Sequence, residues 1–317
     1  MNELRRKELM EKLVGPVVPL NIPYKENLEI DYDSLGRYVD FLAREKVPTI
    51  ILTFGSSEYI NLTDDEIYEV TKTVGEANAG RSMFVGATKC WTVKKSIEYI
   101  EHAKKFGAGA VKIQPQYYYN DRPFDQECIL KYYKDIDKRS NLPLWAYSAP
   151  LYGAHSGLSN ETWGSIASEC SNVYAMKTDG DMMYGYYGLI NASKDRAVVV
   201  SAGQMKTMFF GWPFGSRSYL CTITFFMPKV GLYFIDCMIK RKLQEAEKII
   251  HAFEDKMINA CSTVRWLLLA KSMVVEAGYY KNAFTRQLSP QITQEQKEFT
   301  KKLYNEFQET AIDFGII

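Results

Sequence analysis

An alternation, eight times over, of short apolar runs with amphipathic stretches constrains this chain more than any other feature. The apolar runs cover residues 15–20, 49–53, 82–86, 109–114, 142–147, 173–177, 197–201 and 218–223, and most are rich in Val, Ile, Leu or Ala. Amphipathic stretches follow the first seven, at 33–44, 63–79, 92–106, 125–138, 159–170, 181–192 and 204–210. Such runs read as buried strands, and a repeated strand–helix order requires parallel neighbours joined by right-handed crossovers. The runs begin about 21 to 34 residues apart, room for one strand, one helix and two short loops. Eight such units predict a closed (β/α)8 TIM barrel, and 317 residues suffice for one. The rival, an open doubly wound sheet, would place a G-x-G-x-x-G turn after an early strand, and none stands there.

Helix ends support this segmentation. Thr63-Asp64-Asp65-Glu66 has capping-box form and opens a helix carrying Ile67, Val70 and Val74. Gly107 follows Lys104-Lys105-Phe106 as a C′ glycine would, with cations in the last turn where the helix dipole favours them. After about residue 226 the strand signals cease, and helical patterns run through 230–242, 245–258 and 262–276. Pro290 precedes a last helix that Thr293 and Gln296 can cap, with Phe299, Leu303 and Phe307 on one face. Residues 1–225 should therefore hold the main part of the barrel, and 226–317 its eighth helix plus a C-terminal helical extension.

Composition narrows the class of partner. With 46% hydrophobic and 24% charged residues the chain can bury a core and is not of disordered type. Lys+Arg 39 against Asp+Glu 38 leaves a net charge of +1, so no global field draws it to nucleic acid or to an anionic membrane. No apolar run approaches the roughly 20 residues of a membrane helix, and residues 1–13 are a charged amphipathic stretch without a signal-peptide core. The expectation is a cytoplasmic protein with neither nucleic-acid nor membrane partners. Six scattered cysteines and three histidines, with no C-x-x-C pair, point away from zinc and disulfides and toward reduced, mostly buried thiols.

In such a barrel, chemistry sits at the carboxyl ends of the strands. The sixth run breaks from Val173-Tyr174-Ala175-Met176 into Lys177, then Thr178-Asp179-Gly180. A lysine desolvated there has a lowered pKa, which frees its amine to attack a carbonyl carbon. Lys112, inside the fourth run, is nearly as good a candidate on these grounds, and Lys89 is a further one. Tyr147 ends the fifth run, in Trp145-Ala146-Tyr147-Ser148-Ala149-Pro150, where a phenol can relay protons. After the second run, Phe54-Gly55-Ser56-Ser57-Glu58 offers backbone N–H groups and hydroxyls suited to a carboxylate.

In order and spacing these places resemble the dihydrodipicolinate synthase and N-acetylneuraminate lyase family of Schiff-base aldolases, over nearly the whole chain. The Tyr-Ser-Ala-Pro to Met-Lys-Thr spacing is the most specific part. The resemblance implies that Lys177 forms the Schiff base and Tyr147 relays protons, choosing Lys177 over Lys112. It implies that Gly55, Ser56 and Ser57 hold the substrate carboxylate. The family's tyrosine that reaches a neighbouring active site in a homotetramer falls among the adjacent Tyr117, Tyr118 and Tyr119, an insertion leaving the three equivalent, with Tyr118, the middle one, taken as the substrate-binding candidate. Synthase members carry an arginine two residues after the strand-five proline; Leu151-Tyr152 stands there instead, so Tyr152 would face a substrate without a distal carboxylate. Ile22-Pro23 replaces the family's Thr-Pro and removes a hydroxyl from the usual relay.

The implied activity is a lyase or aldolase that joins or cleaves a C–C bond through an imine with pyruvate or a related 2-oxo acid, needing no metal or organic cofactor. The alternatives are dehydration of a 2-keto-3-deoxy sugar acid through the same imine, and a catalytically weak paralogue that binds a 2-oxo acid or a sugar acid.

Overall fold

The computed structural model describes residues 1–115, 126–148, 157–179, 184–288 and 290–317. Eight strands lie in sequence order and close on themselves as a barrel. They are β1 (Gly15–Pro19), β2 (Thr49–Ile51), β3 (Met83–Ala87), β4 (Ala110–Lys112), β5 (Leu144–Ser148), β6 (Val173–Thr178), β7 (Val198–Ser201) and β8 (Ser218–Leu220). Each falls on one of the eight apolar runs. Several are shorter than the run that signals them, because polarity marks where burial ends and not where ladder hydrogen bonds end.

The chain divides into two compact units, residues 1–17 with 83–220, and 18–82 with 221–317. In the first, parallel pairing runs from β3 through β8 and on to β1, where Gly15 aligns with Ser218. The β5–β6 register sets Tyr147 beside Lys177 and Ser148 beside Thr178. Helices Val93–Lys105, Gln126–Asp137, Asn160–Glu169, Tyr184–Ser193 and Gln204–Gly211 alternate with these strands as expected. Gly107, at φ +79°, ends the helix Val93–Lys105. Its amide donates to Lys104 O at 3.0 Å and that of Ala108 to Ala103 O at 2.9 Å, the two bonds of a Schellman cap. The charged N-terminal stretch is the helix Glu3–Lys12, which buries only Arg6 and Leu9.

The second unit holds β2, the helices Tyr32–Arg44 and Asp64–Asn78, and the C-terminal helices. Both expected capping boxes form, Thr63 with Glu66 and Thr293 with Gln296. The stretch 245–258 is not one uniform helix: Leu243–Ile249 and Lys256–Ala260 flank a π-helical turn, Ile250–Asp255. Phe307 from the last helix, Gln294–Asp313, packs on Phe253 in that turn, ring centroids 5.8 Å apart. None of the six cysteines forms a disulfide; Cys170, Cys221 and Cys237 are buried, Cys90 and Cys261 half-buried and Cys128 exposed. No helix among the described residues is long and apolar enough to cross a membrane.

A fully buried ion pair braces this unit. Glu58, at φ +50°, accepts from Lys271 Nζ on one oxygen, and from Thr285 Oγ1 (2.6 Å) and the Arg286 amide (3.0 Å) on the other. Lys271 gives a second donor to Phe284 O at 2.8 Å, so both charges are multiply hydrogen-bonded within the protein. Removing one member strands the other, at a cost of about 3–5 kcal/mol, whereas replacing both with apolar residues costs less. Glu58→Ala is therefore expected to lower the urea midpoint far more than the double variant Glu58→Leu/Lys271→Met, with the denaturation slope unchanged in both.

Candidate active site

Strand register assembles the site in the first unit. Because side chains two apart along a strand share a face, Lys177 in β6 and Asp179 just past its end project together, and Tyr147 stands beside Lys177 in β5. The Asp179 amide donates to Ser148 O at 3.0 Å, carrying the β5–β6 ladder one residue beyond the strand and fixing where the carboxylate begins. Lys177 Nζ donates to Asp179 Oδ1 and the Tyr147 hydroxyl to Asp179 Oδ2, so one carboxylate spans amine and phenol. Tyr147 is held from below as well: its amide donates to Tyr133 Oη at 3.0 Å, and that hydroxyl donates to Ile113 O at 2.9 Å.

A second amine faces the same ring. Lys112 Nζ lies 4.3 Å from the Tyr147 ring centroid and Lys177 Nζ 4.9 Å. Lys112 is fully buried and, among the described residues, reaches a single hydrogen-bond partner, Gln114 Oε1, at a long 3.5 Å. Desolvation, reinforced by repulsion from Lys177, lowers its pKa to about 7, against the opposing pull of Asp179 and Cys90. The Lys177 side chain is 7% exposed and that of Asp179 15%. Desolvation alone would raise the Asp179 pKa. The charge of Lys177, hydrogen bonds from Lys177 and Tyr147, and the charge of Lys112 outweigh it and hold the carboxyl below its ordinary value.

The turn after β2 belongs to the second unit. Ser57 Oγ donates to Leu20 O (2.6 Å) and accepts from the Thr53 amide (3.0 Å), so this hydroxyl is committed to the backbone. The Ser56 amide donates to Thr53 Oγ1 at 3.1 Å and Gly55 O accepts from the Glu58 amide at 3.0 Å. That leaves the Ser56 hydroxyl as the side-chain donor of the turn. Tyr117, Tyr118, Tyr119, Tyr152 and His155 lie outside the described residues.

Residues 12–306 match the dihydrodipicolinate synthetase family. The chain belongs to that family. The family is one of lyases of the class I aldolase type, and the barrel is its common fold. Over 237 residues the chain is 30% identical to a 4-hydroxy-tetrahydrodipicolinate synthase of Chlorobaculum parvum, covering 74% of this chain and 78% of that one. An uncharacterised DapA-like lyase of Pyrococcus horikoshii is 28% identical over 57% of this chain and 61% of its own length. Among solved structures, YagE, a prophage protein of E. coli K12 belonging to the dihydrodipicolinic acid synthase family and crystallised with pyruvate, superposes with a TM-score of 0.80. At 16% identity over 93% of this chain and 98% of YagE, it is a likeness of fold.

Of the residues singled out from the sequence of this family member, the fold brings Lys177, Tyr147 and Lys112 around one ring. In the sequence, Asp179 reads only as part of the polar stretch that ends the sixth run. Its i+2 spacing from Lys177 is the signal that could have found it, since it puts a carboxylate on the lysine's own face.

Burying Lys112 has a price in stability that depends on pH. Its folded pKa, about 7, lies below the unfolded 10.5, so between these values the unfolded chain binds more protons and stability rises with pH. Wild-type unfolding free energy should gain about 2–3 kcal/mol between pH 6 and pH 9 from this group alone. Lys112→Met should lack that gain and exceed wild type most at pH 6, as measured by urea denaturation across the pH range.

Proposed function

We propose that this protein is a Schiff-base lyase in which Lys177 condenses with the carbonyl of pyruvate or a related 2-oxo acid, and the resulting imine drives reversible C–C bond cleavage. One observation carries the reading: a buried lysine in contact, through a shared carboxylate, with a tyrosine on the adjacent strand of a barrel that belongs to a lyase family. The protonated imine draws electrons from the bond next to C3, and the lysine supplies the electrophilic activation itself. Tyr147 is the proton relay, within hydrogen-bond reach of the group that pairs with the amine.

The turn Gly55–Ser57 is proposed as the carboxylate seat, with Ser56 as its side-chain donor, since Ser57 serves the backbone. Tyr118 and Tyr152 remain proposed substrate contacts on sequence grounds, and a homotetramer is the proposed assembly. The choice of pyruvate is supported by the solved relative that carries it.

Borohydride reduction in the presence of pyruvate is expected to add the mass of one reduced pyruvyl group at Lys177 and none in Lys177→Ala. A Lys177 peptide left unmodified by every 2-oxo acid in a panel would refute the reading, and a label on Lys112 would transfer the role to that amine. Product analysis then separates aldol cleavage, which yields pyruvate and an aldehyde, from dehydration, which keeps the carbon skeleton.

A further inference from the structure

A lysine that is to attack a carbonyl must first lose a proton, and the carbinolamine it forms must then expel its oxygen as water to give the imine. Both events need a group that accepts a proton and gives it back at the same place. Tyr147 can pass a proton on, but a phenol of ordinary acidity is a poor resting acceptor near pH 7. The described residues that meet Lys177 include one group better suited. Asp179 places one oxygen on Lys177 Nζ and the other on the Tyr147 hydroxyl, and its backbone is pinned to Ser148 O. Its carboxyl is ionised at neutral pH and largely shielded from water.

We propose that Asp179 is the proton-transfer residue of this site: it takes the proton that Lys177 loses and, with Tyr147, returns it to the departing oxygen. The proposal rests on the Schiff-base reading above. The steps balance without any added reactant. Lys177 ammonium gives a proton to the Asp179 carboxylate. The neutral amine forms an N–C bond to C2 of the 2-oxo acid as the carbonyl π pair moves onto oxygen. Tyr147 carries a proton from the new ammonium nitrogen to that alkoxide, which leaves a neutral carbinolamine. Asp179 then returns its proton, by way of Tyr147, to the carbinolamine hydroxyl. The C–O bond breaks with its electron pair leaving as water, and the nitrogen lone pair closes the C=N bond. Ammonium plus ketone has become iminium plus water, with Asp179 again a carboxylate.

Lys112 contributes to the electrostatics of this exchange. Among the described residues, the titratable groups facing Asp179 are Lys177 on its own strand, Tyr147 from β5 and Lys112 from β4. The charge of Lys177 and the hydrogen bonds from Lys177 and Tyr147, with a smaller part from the charge of Lys112, outweigh desolvation and keep Asp179 unprotonated. Repulsion from Lys177 disfavours the charged form of Lys112.

The test is rapid-quench borohydride trapping with pyruvate as the probe, across pH, for wild type, Asp179→Asn, Asp179→Glu and Tyr147→Phe. Asp179→Asn is expected to reach a trapped adduct at Lys177 with a rate constant lower by about 10²- to 10⁴-fold and without the acidic limb of the pH–rate profile. Asp179→Glu should recover a large part of the rate, with the limb restored. Tyr147→Phe removes one of the hydrogen bonds that hold the carboxyl down, so its acidic limb should move to higher pH, which keeps the proposal testable if Asp179→Asn fails to fold. A wild type trapped at Lys177, with Asp179→Asn within about threefold of it and showing the same limb, overturns this inference and leaves the Schiff-base reading standing. So does a limb unmoved in Tyr147→Phe. If pyruvate and the other 2-oxo acids fail to trap Lys177 in wild type, both fall together.

Discussion

Two amines buried against one phenol ring would repel each other without recourse to water, and the geometry around Tyr147 answers that problem. Asp179 accepts hydrogen bonds from Lys177 and from Tyr147, so one negative charge is shared between the amine and the phenol. Among the described residues the one hydrogen bond of Lys112 is the long one to Gln114, and desolvation with repulsion from Lys177 outweighs the pull of Asp179 and Cys90 and lowers its pKa to about 7. Of the two lysines only Lys177 reaches Asp179 with a hydrogen bond. That reach follows from the i+2 spacing of Lys177 and Asp179 along one strand, and the β5–β6 register brings Tyr147 to the same carboxylate: slide β5 by one residue and Tyr147 turns to the opposite face of the sheet.

The second unit applies the same physics to stability. Glu58 and Lys271 are both fully buried, and the carboxylate is met by three donors from the C-terminal part of the chain. Buried charge is tolerated when every lone pair and proton has a partner, and the left-handed conformation of Glu58 is maintained by that set. The turn just before it is shaped by its own hydroxyls: Ser57 ties Leu20 to Thr53, and Thr53 holds the Ser56 amide. An acidic residue that in sequence reads as part of a binding motif thus acts as a brace.

Much of the barrel was legible because burial has a period. Strands covered on both faces leave unbroken apolar runs, helices leave a stripe, and Thr63, Gly107 and Thr293 mark boundaries through local hydrogen bonds that need no distant partner. Lys177 and Tyr147 were legible as strand-end residues because each closes an apolar run, but that signal did not separate Lys177 from Lys112, which ends β4; the family resemblance made that choice. The π turn at Ile250–Asp255 left no mark, since over so short a stretch its buried residues, Ile250, Phe253 and Glu254, keep the three- and four-residue spacing of an α-helix. The pairing of Glu58 with Lys271 was invisible because 213 residues separate them and nothing in the local sequence of either points to the other.

By itself, then, the sequence determined the eightfold strand–helix order, the closing of its helices by caps, and which reactive side chains stand near the carboxyl ends of the fifth and sixth strands, all properties carried by neighbours along the chain. Only the tertiary structure decided that Asp179 is shared by Lys177 and Tyr147, that Lys112 faces the same ring, and that Ser57 and Glu58 serve the framework. Those outcomes depend on strand register and on contacts between distant segments, and a one-residue change in alignment would alter them without changing a single local pattern.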